Sequence, residues 1–383
     1  MSWQGLLSSL KNLLSYAMLA SLTPLPASAA HKSVSPANPQ LSREEEMIQL
    51  QDKLALYIQT MRDTFIRDLS TSNELLTEVA QYYAKRPSKL FRPRLIFLTA
   101  LAVNASLGER EVLPHQVRLA EIVEMIHVVS LLHDDVIDES DTRRGDVSAP
   151  SKFGNKNSIL AGDFVLGRAM SLIAALDNFD AMREIAGVVT TLVEGEIIQA
   201  EDSIALGEKA KAGQAADQWG SYMERIFLKT GSLFARALRS TAMLSGLPSD
   251  DERVLAVGQY GTELGLAFQI IDDALDFKES SVDSAGKPTG AVDLSLGLIT
   301  APVFYALEER SDELSPYVSR KCSEPGDTTE VVKIVRETAA LPRTYALAAQ
   351  HAQKAREALQ VLPRSAARDA LEALTAKVLS RDK

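Results

Sequence analysis

The sequence predicts an all-α fold, a large single-domain helical bundle, on three observations. From Ser42 onward, apolar residues recur at three- and four-residue spacing. Arg118 to Glu139 contains neither Gly nor Pro, and its middle, MIHVVSLL, is apolar nearly all round, as in a helix buried inside a bundle. No convincing run of alternating strands joined by hairpin turns breaks the pattern.

The elements follow in order. LSREEEMIQLQDKLALYIQTMRDTFIRDL opens with a Ser cap followed by Glu three residues on, then an apolar stripe. The buried helix through MIHVVSLL comes next. Further helical stretches read through LAGDFVLGRAMSLIAAL, IAGVVTTLVEGEIIQAE, WGSYMERIFLKTGSLFARALRSTAML and ERVLAVGQYGTELGLAFQIIDDALDF, and into a Leu/Ala-rich C-terminal portion. Two loops, DESDTRRGDVSAPSKFGN and KESSVDSAGKPTGAVD, are rich in Gly, Ser, Asp and Pro, and each follows an acidic helix end. Gly258, Gly261 and Gly265 form a stripe of small residues on the last of these helices. Interior glycines cost about 1 kcal/mol each relative to Ala, so the stripe points to close helix packing more than to a pocket lining.

Composition narrows the class. Apolar residues make up 46% and charged residues 24% of the 383, the balance of a soluble protein with a sizeable core. A net charge of −10 argues against a nucleic-acid partner held by bulk attraction, while leaving room for a local basic site that takes a small anion. The one cysteine, Cys322, excludes an internal disulfide and reads as a structural or surface thiol. Residues 1–42 differ from the rest: they hold no Asp or Glu, and Lys11 and Lys32 are their only lysines. Pro24 and Pro26 make their apolar run a poor spanning helix, so they are expected to be a targeting segment and linker ahead of a domain at 43–383. Ala27-Ser28-Ala29 resembles a secretory cleavage site, whereas absent acids and abundant serine resemble an organelle transit peptide.

The chemistry is expected where two apolar helices run into negative charge. In DDVID, Asp134 and Asp138 share a face and Asp135 flanks them; Asp272, Asp273 and Asp276 repeat the spacing. Both triplets fall at apparent helix C-termini, where the macrodipole makes each carboxylate unfavourable by roughly 0.3–1 kcal/mol before mutual repulsion is counted. One such triplet alone reads as a solvated helix end. Two, each trailed by a basic loop, call for cations, and hard carboxylate oxygens select Mg²⁺, typically shared with substrate phosphates. Arg143, Arg144 and Lys287 lie just past the triplets. Lys89 and Arg92 precede a helix-like run, His127 sits two turns before Asp134, and Lys229 and Thr230 interrupt another apolar stretch. Singly these are surface charges or a satisfied core histidine. Together they describe a cavity for two diphosphates, one held through Mg²⁺ and one through Lys and Arg.

At this point the chain resembles the trans-isoprenyl diphosphate synthases, most closely the long-chain polyprenyl diphosphate synthases that make quinone side chains. The resemblance runs from about residue 45 to the C-terminus through SKLFRP, EMIHVVSLLHDDVIDESDTRRG, NSILAGDFVLGRA, VEGEIIQ, KTGSLF, GLAFQIIDDALDF, GKPTGAVDLSLGLITAPVFYA and EPGD. It implies an isoprenoid-synthase bundle around a central apolar cavity. It implies that Asp134, Asp135, Asp138, Asp272, Asp273 and Asp276 bind three Mg²⁺ on an allylic diphosphate, with Arg143, Lys229, Thr230, Gln269 and Lys287 as its direct partners. Lys89, Arg92, His127 and Arg144 match positions that hold isopentenyl diphosphate. In this family, bulky aromatics just before the first aspartate stop chain growth; here Ser130, Val129 and Val128 occupy that region, which implies a product longer than geranylgeranyl.

Some features depart from the pattern. Pro87 and Ser88 precede Lys89 where many relatives have two glycines, and Leu298 stands where shorter-chain relatives place a lysine. Val128-Val129 is bulkier than the small pair expected in mitochondrial long-chain members. The resemblance further implies a homodimer, or a heteromer with a related subunit, and peripheral membrane association through a lipidic product. It favours a mitochondrial address, with plastid or cytosol as alternatives. The rival readings are a geranylgeranyl diphosphate synthase, a class I terpene cyclase, a membrane prenyltransferase and a non-catalytic regulatory subunit. The second aspartate motif and the Lys89/Arg92/His127 set favour a synthase over a cyclase. No uncharged run of spanning length recurs as a membrane enzyme would need, and all six aspartates are present, unlike the usual regulatory subunit.

Overall fold

Helices account for nearly all of the regular structure in the computed structural model, which describes residues 42–143, 145–209, 215–278 and 292–381. The expected targeting segment lies outside the described residues. Helix α1 (Arg43–Asp68) leads into α2 (Glu74–Ala80), which is capped by the Asn73 side chain accepting from the Leu76 N–H at 2.9 Å. Then come α3 (Phe91–Ala105) and α4 (Pro114–Ile137), whose first turn carries Pro114 and the Gln116 side chain folded back onto the Leu113 N–H at 2.9 Å. The predicted all-round apolar character of α4 is met by burial on every side, from Leu119 through Met125 to Leu132.

A two-residue hairpin, β1 (Thr142–Arg143) with β2 (Asp146–Val147), follows α4 and is closed by Gly145 at φ 76°. It is too short to leave an alternating pattern in the sequence. Next are α5 (Ala149–Phe153), α6 (Asn155–Ala174), α7 (Phe179–Lys209) and α8 (Ala215–Ile226). The single helix expected from WGSYMERIF to STAML is divided. After α8 the backbone widens into one π-helical turn, Phe227–Gly231, before α9 (Ser232–Met243) resumes. Helix α10 (Glu252–Leu275) is capped by Asp251, whose carboxylate accepts from the Arg253 N–H at 2.9 Å. The remaining α-helices are α11 (Val292–Ser295), α12 (Ala301–Glu309), α13 (Ser311–Ser319), α14 (Asp327–Glu337), α15 (Ala340–Ala358) and α16 (Ala366–Leu379), with a 3-10 turn at Leu359–Val361 before the last. Among the described residues, no helix is long and apolar enough to cross a membrane.

Two apolar cores form, and α10 belongs to both. Its first half, with Val254, Val257, Tyr260 and Leu264, packs into the larger core with α1, α3, α4, α6 and α9. Its second half, with Ile270, Ile271 and Leu275, packs into a smaller core with α8, α12, α13 and α14. This arrangement fixes the end of α10, where the second acidic triplet lies. The glycine stripe explains how α10 comes so close to its neighbours. A Cβ on Gly261 would stand 2.8 Å from the backbone of Ala235, and one on Gly265 would stand 2.6 Å from the Gly231 Cα. Gly258 faces the stem of Arg239 instead. The stripe is a helix-packing feature, as expected.

Backbone cannot step aside as a side chain can. Gly265→Ala should therefore lose about 1–3 kcal/mol in denaturant unfolding despite the better helix propensity of Ala. Gly220→Ala should gain roughly 0.5–1 kcal/mol, since Gly220 is exposed on α8 with nothing within 4 Å of its added Cβ. Equal effects of the two changes would contradict the packing assigned to Gly265.

Candidate active site

The first acidic triplet closes α4 as predicted. Asp138 is the C-cap residue at the exposed end of the helix, its N–H bonded to the Asp134 carbonyl at 2.8 Å. Asp135 points the other way, into the protein. It is fully buried, accepts a hydrogen bond from the Tyr83 hydroxyl, and binds Arg143 Nε at 2.6 Å. The Tyr83 oxygen also accepts from the Ala149 N–H at 2.7 Å. Asp135 thus fixes Arg143 beside the exposed face of the triplet. One and two turns earlier on α4, Val128 and Val129 are buried, and the Ser130 hydroxyl is turned back to the His127 carbonyl at 3.0 Å.

The second triplet is built the same way. Asp276 is the C-cap of α10, and Asp272 pairs with Arg381 at 3.1 Å. Asp273 is buried and accepts from the Tyr222 hydroxyl at 2.7 Å and from Gln269 Nε2 at 2.9 Å. The other end of the Gln269 amide accepts from the Thr230 hydroxyl at 2.9 Å, which joins α10 to the π turn. Burial and the nearby Asp293 charge push the Asp273 carboxyl up to about 7.

Lys229 stands on the π turn between these two ends. Its ammonium meets Glu196 of α7 at 2.5 Å and donates to Gln199 Oε1 at 2.9 Å. Gly195 makes room for it, since a Cβ there would lie 2.8 Å from Lys229 Cγ. Such widened turns recur at functional sites because they turn a side chain out of the helical register. Burial and the Glu196 charge raise the Asp134 carboxyl to about 7. Partial desolvation by neighbouring groups also raises Asp138, with Lys229 opposing and Glu196 adding to the shift. Asp293 is raised by burial and by Asp276, and Asp138 pushes in the same direction. The charges of both triplets therefore act across one space, with Lys229, Glu196 and Asp293 in it.

This donor set fits a hard divalent cation: it is all carboxylate oxygen, crowded and under-neutralised. Among the described residues no three acidic, imidazole or thiol groups close into a ready cage. That openness suits Mg²⁺, which keeps several waters and shares its shell with phosphate oxygens. Of the six aspartates expected to bind it, Asp134, Asp138, Asp272 and Asp276 are not fully buried, whereas Asp135 and Asp273 turn into the protein against fixed donors.

Beside the acidic space is a cavity of about 710 Å³ lined by Lys89, Arg92, Arg94, His127, Lys377 and Arg381, together with Glu124 and Phe268. Arg92 lies over the Phe234 ring at 5.6 Å and Arg381 over Phe268 at 4.1 Å, so two guanidinium planes are oriented by aromatic faces. Leu90, at φ 45°, makes the sharp turn from the Lys89 loop into α3. Of the residues expected here, Arg144 and Lys287 lie outside the described residues. Reading the sequence missed Tyr83, Tyr222, Glu196, Gln199, Arg94, Lys377 and Arg381. The local signals were the quoted VEGEIIQ stretch, which holds Glu196 and Gln199, and the four-residue spacing of Lys377 and Arg381 near the end of α16.

The profile of the Polyprenyl synthetase family matches residues 73–335. The chain belongs to that family. It is 42% identical over 276 residues to a probable mitochondrial hexaprenyl pyrophosphate synthase of Neurospora crassa, covering 72% of this chain and 60% of that one. It is 36% identical to decaprenyl-diphosphate synthase subunit 1 of Schizosaccharomyces pombe, covering 82% and 86%. The chain thus spans less than two thirds of the length of the Neurospora relative. Among solved structures, the Caulobacter crescentus polyprenyl synthase complexed with calcium and isoprenyl diphosphate aligns with a TM-score of 0.74 at 28% identity, covering 91% of this chain and all of that one. The family confirms the predicted all-α isoprenoid-synthase bundle.

The two aspartates next to each other in the first triplet should respond differently to removal. Asp135→Ala leaves Arg143 and Tyr83 facing a buried gap and should cost about 3 kcal/mol or more. Asp138→Ala, at an exposed helix end, should change stability by less than about 0.5 kcal/mol. Calorimetric unfolding of both variants checks this, and a stable Asp135→Ala protein would refute the anchoring role.

Proposed function

We propose that this protein is a long-chain trans-polyprenyl diphosphate synthase, adding isopentenyl diphosphate units to an allylic primer such as farnesyl or geranylgeranyl diphosphate. The observation that carries the reading is the juxtaposition of two acidic helix ends around Lys229 with a separate basic cavity beside them. A cyclase that ionises one substrate has no use for the second anion site.

In this reading Asp134, Asp138, Asp272 and Asp276 would hold Mg²⁺, with three ions expected for the allylic diphosphate. Asp135 and Asp273 aim Arg143 and the Thr230–Gln269 pair. When bound, the metal supplies positive charge to the leaving diphosphate. Lys229 and Arg143 add to that charge, Lys229 leaving Glu196 for the phosphate oxygens, and Lys287 joins them. The allylic C–O bond breaks with its electron pair on the diphosphate. Lys89, Arg92, His127 and Arg144 orient isopentenyl diphosphate so that its double bond attacks the allylic carbon. A carbon–carbon bond forms, and a proton passes to the released diphosphate. The apolar faces of α4 and α10 exclude the water that would otherwise capture the cation.

We infer a dimer as the working form. Val193 and Ile197, one turn apart on α7, are each 57% exposed, and Leu160 on α6 is 51% exposed. The name of the Schizosaccharomyces relative, a subunit, favours a heteromer as the second reading. The Neurospora relative's name supports a mitochondrial address.

The test is to incubate the purified 42–383 chain with farnesyl diphosphate, labelled isopentenyl diphosphate and Mg²⁺, then size the dephosphorylated products. A ladder reaching hexaprenyl length or beyond is expected, and chelation of Mg²⁺ should abolish it. A stop at geranylgeranyl would overturn the reading of Val128, Val129 and Ser130. No elongation with any primer would leave the regulatory-subunit reading.

A further inference from the structure

The loop before Lys89 contains an arginine that the mechanism does not use. Arg86 is far from free: its side chain is only 13% exposed. Its Nη1 donates to the Arg143 carbonyl at 3.2 Å, and its Nη2 donates to the Val147 carbonyl at 2.8 Å. Nη2 also lies 3.1 Å from the Asp146 carboxylate. Arg143 and Asp146 face each other across the β1–β2 hairpin, so one guanidinium grips both strands. The plane is seated 4.3 Å above the Tyr82 ring and 5.2 Å from Tyr83. Tyr82 reinforces the grip, its hydroxyl donating to the Val147 carbonyl at 2.9 Å.

Both ends of this strut lead to a substrate-binding cation. On one side is Arg143, whose own Nε is fixed by Asp135. On the other, Arg86 is followed by Pro87, Ser88 and Lys89. Proline fixes its own φ and confines the preceding residue to extended backbone, so little slack remains between Arg86 and Lys89. The Lys89 carbonyl is tied from the far side by Arg94 Nε at 3.2 Å. Two glycines in place of Pro87 and Ser88 would leave that connection to chain entropy.

We propose that Arg86 is a positioning residue that locks the Lys89 loop to the Arg143 hairpin and so sets the separation of the two diphosphate subsites. This rests on the synthase reading above, in which Arg143 serves the allylic diphosphate and Lys89 serves isopentenyl diphosphate. Arg86 does not line the basic cavity, although Pro87, Ser88 and Lys89 do; it acts through Arg143 and Lys89. The two carbonyl bonds to the planar fork carry the effect, because the Asp146 side of the contact is 66% exposed and exposed ion pairs contribute little.

The experiment is steady-state kinetics on the full chain, with each diphosphate varied in turn, alongside thermal unfolding. Arg86→Ala should raise KM for both substrates by about tenfold or more, as small misplacements of binding groups do. Asp146→Asn should keep both KM values within about twofold. Arg86→Lys keeps the charge but cannot span two carbonyls, so it should lie between wild type and Arg86→Ala. A role confined to stability predicts additivity with any other change. A role through Arg143 predicts instead that Arg86→Ala adds little to the allylic KM of Arg143→Lys. If Arg86→Ala does not fold, Arg86→Gln and Arg86→Lys, which keep a long stem on Tyr82, carry the same comparison. Unchanged KM values in folded variants, or full additivity with Arg143→Lys, would overturn the proposal. If the wild-type chain makes no product, the synthase reading fails separately. Binding of inorganic diphosphate with Mg²⁺ by calorimetry then judges Arg86, with about tenfold weakening expected in Arg86→Ala and equal affinity counting against it.

Discussion

Like charges gathered at the negative ends of two helices are the constraint that the rest of this structure answers. A helix C-terminus repels each carboxylate, and neighbouring carboxylates repel one another more. The protein does not spread the six aspartates apart. It removes one from each triplet, Asp135 and Asp273, and buries it against a phenol and a second donor. A buried carboxylate with fixed donors is a rigid object, and each becomes the anchor of a group that the site needs. Arg143 hangs from Asp135, and the Thr230–Gln269 link hangs from Asp273. The aspartates that are not fully buried share few protein cations, with Arg381 on Asp272 and Lys229 and Arg143 acting on Asp134 and Asp138.

The surrounding helices maintain that tension. Because α10 spans both apolar cores, its acidic end cannot swing out without opening the smaller core. Because α9 and α10 touch backbone to backbone at Gly261 and Gly265, the π turn that carries Lys229 is held against α10 at a fixed height. The resting partner of Lys229 is Glu196, so the ammonium stays in place without phosphate, and the acids feel its charge in the meantime. The cationic cavity is kept apart by the same means. Its guanidinium planes rest on Phe234 and Phe268, and Arg381 reaches across to Asp272, so the end of α16 touches both halves of the site.

Much of this was legible in the chain. The all-α class, the buried α4 and the placing of both triplets at helix ends follow from local periodicity, which a sequence displays directly. The glycine stripe was legible too, because an interior glycine has few reasons to exist other than close approach. What stayed hidden depends on partners distant in sequence. Nothing local distinguishes the fully buried Asp135 from the partly buried Asp134: adjacent helical residues differ by about 100° in direction, and which one faces the core depends on Tyr83 and Arg143. The π turn at Lys229 has no composition of its own. Arg86 reads as one more loop cation until the hairpin folds back over it.

The same contacts limit where a growing product can go under the proposed chemistry. A lengthening isoprenoid must leave the charged space into apolar volume. It cannot pass between α9 and α10 at the level of the glycine stripe, since even a methyl group there would collide with backbone. The glycine stripe, read in the sequence as a packing feature, therefore closes that route. The buried apolar surface directly behind the first triplet belongs to α4, with Val128 and Val129 one to two turns below Asp134 and no aromatic ring on either. Side chains, unlike backbone, can be exchanged for smaller or larger ones without disturbing helix packing. Under the proposed function, product length would for that reason be set on the α4 face, whereas the α10 face sets how firmly the second acidic end is held.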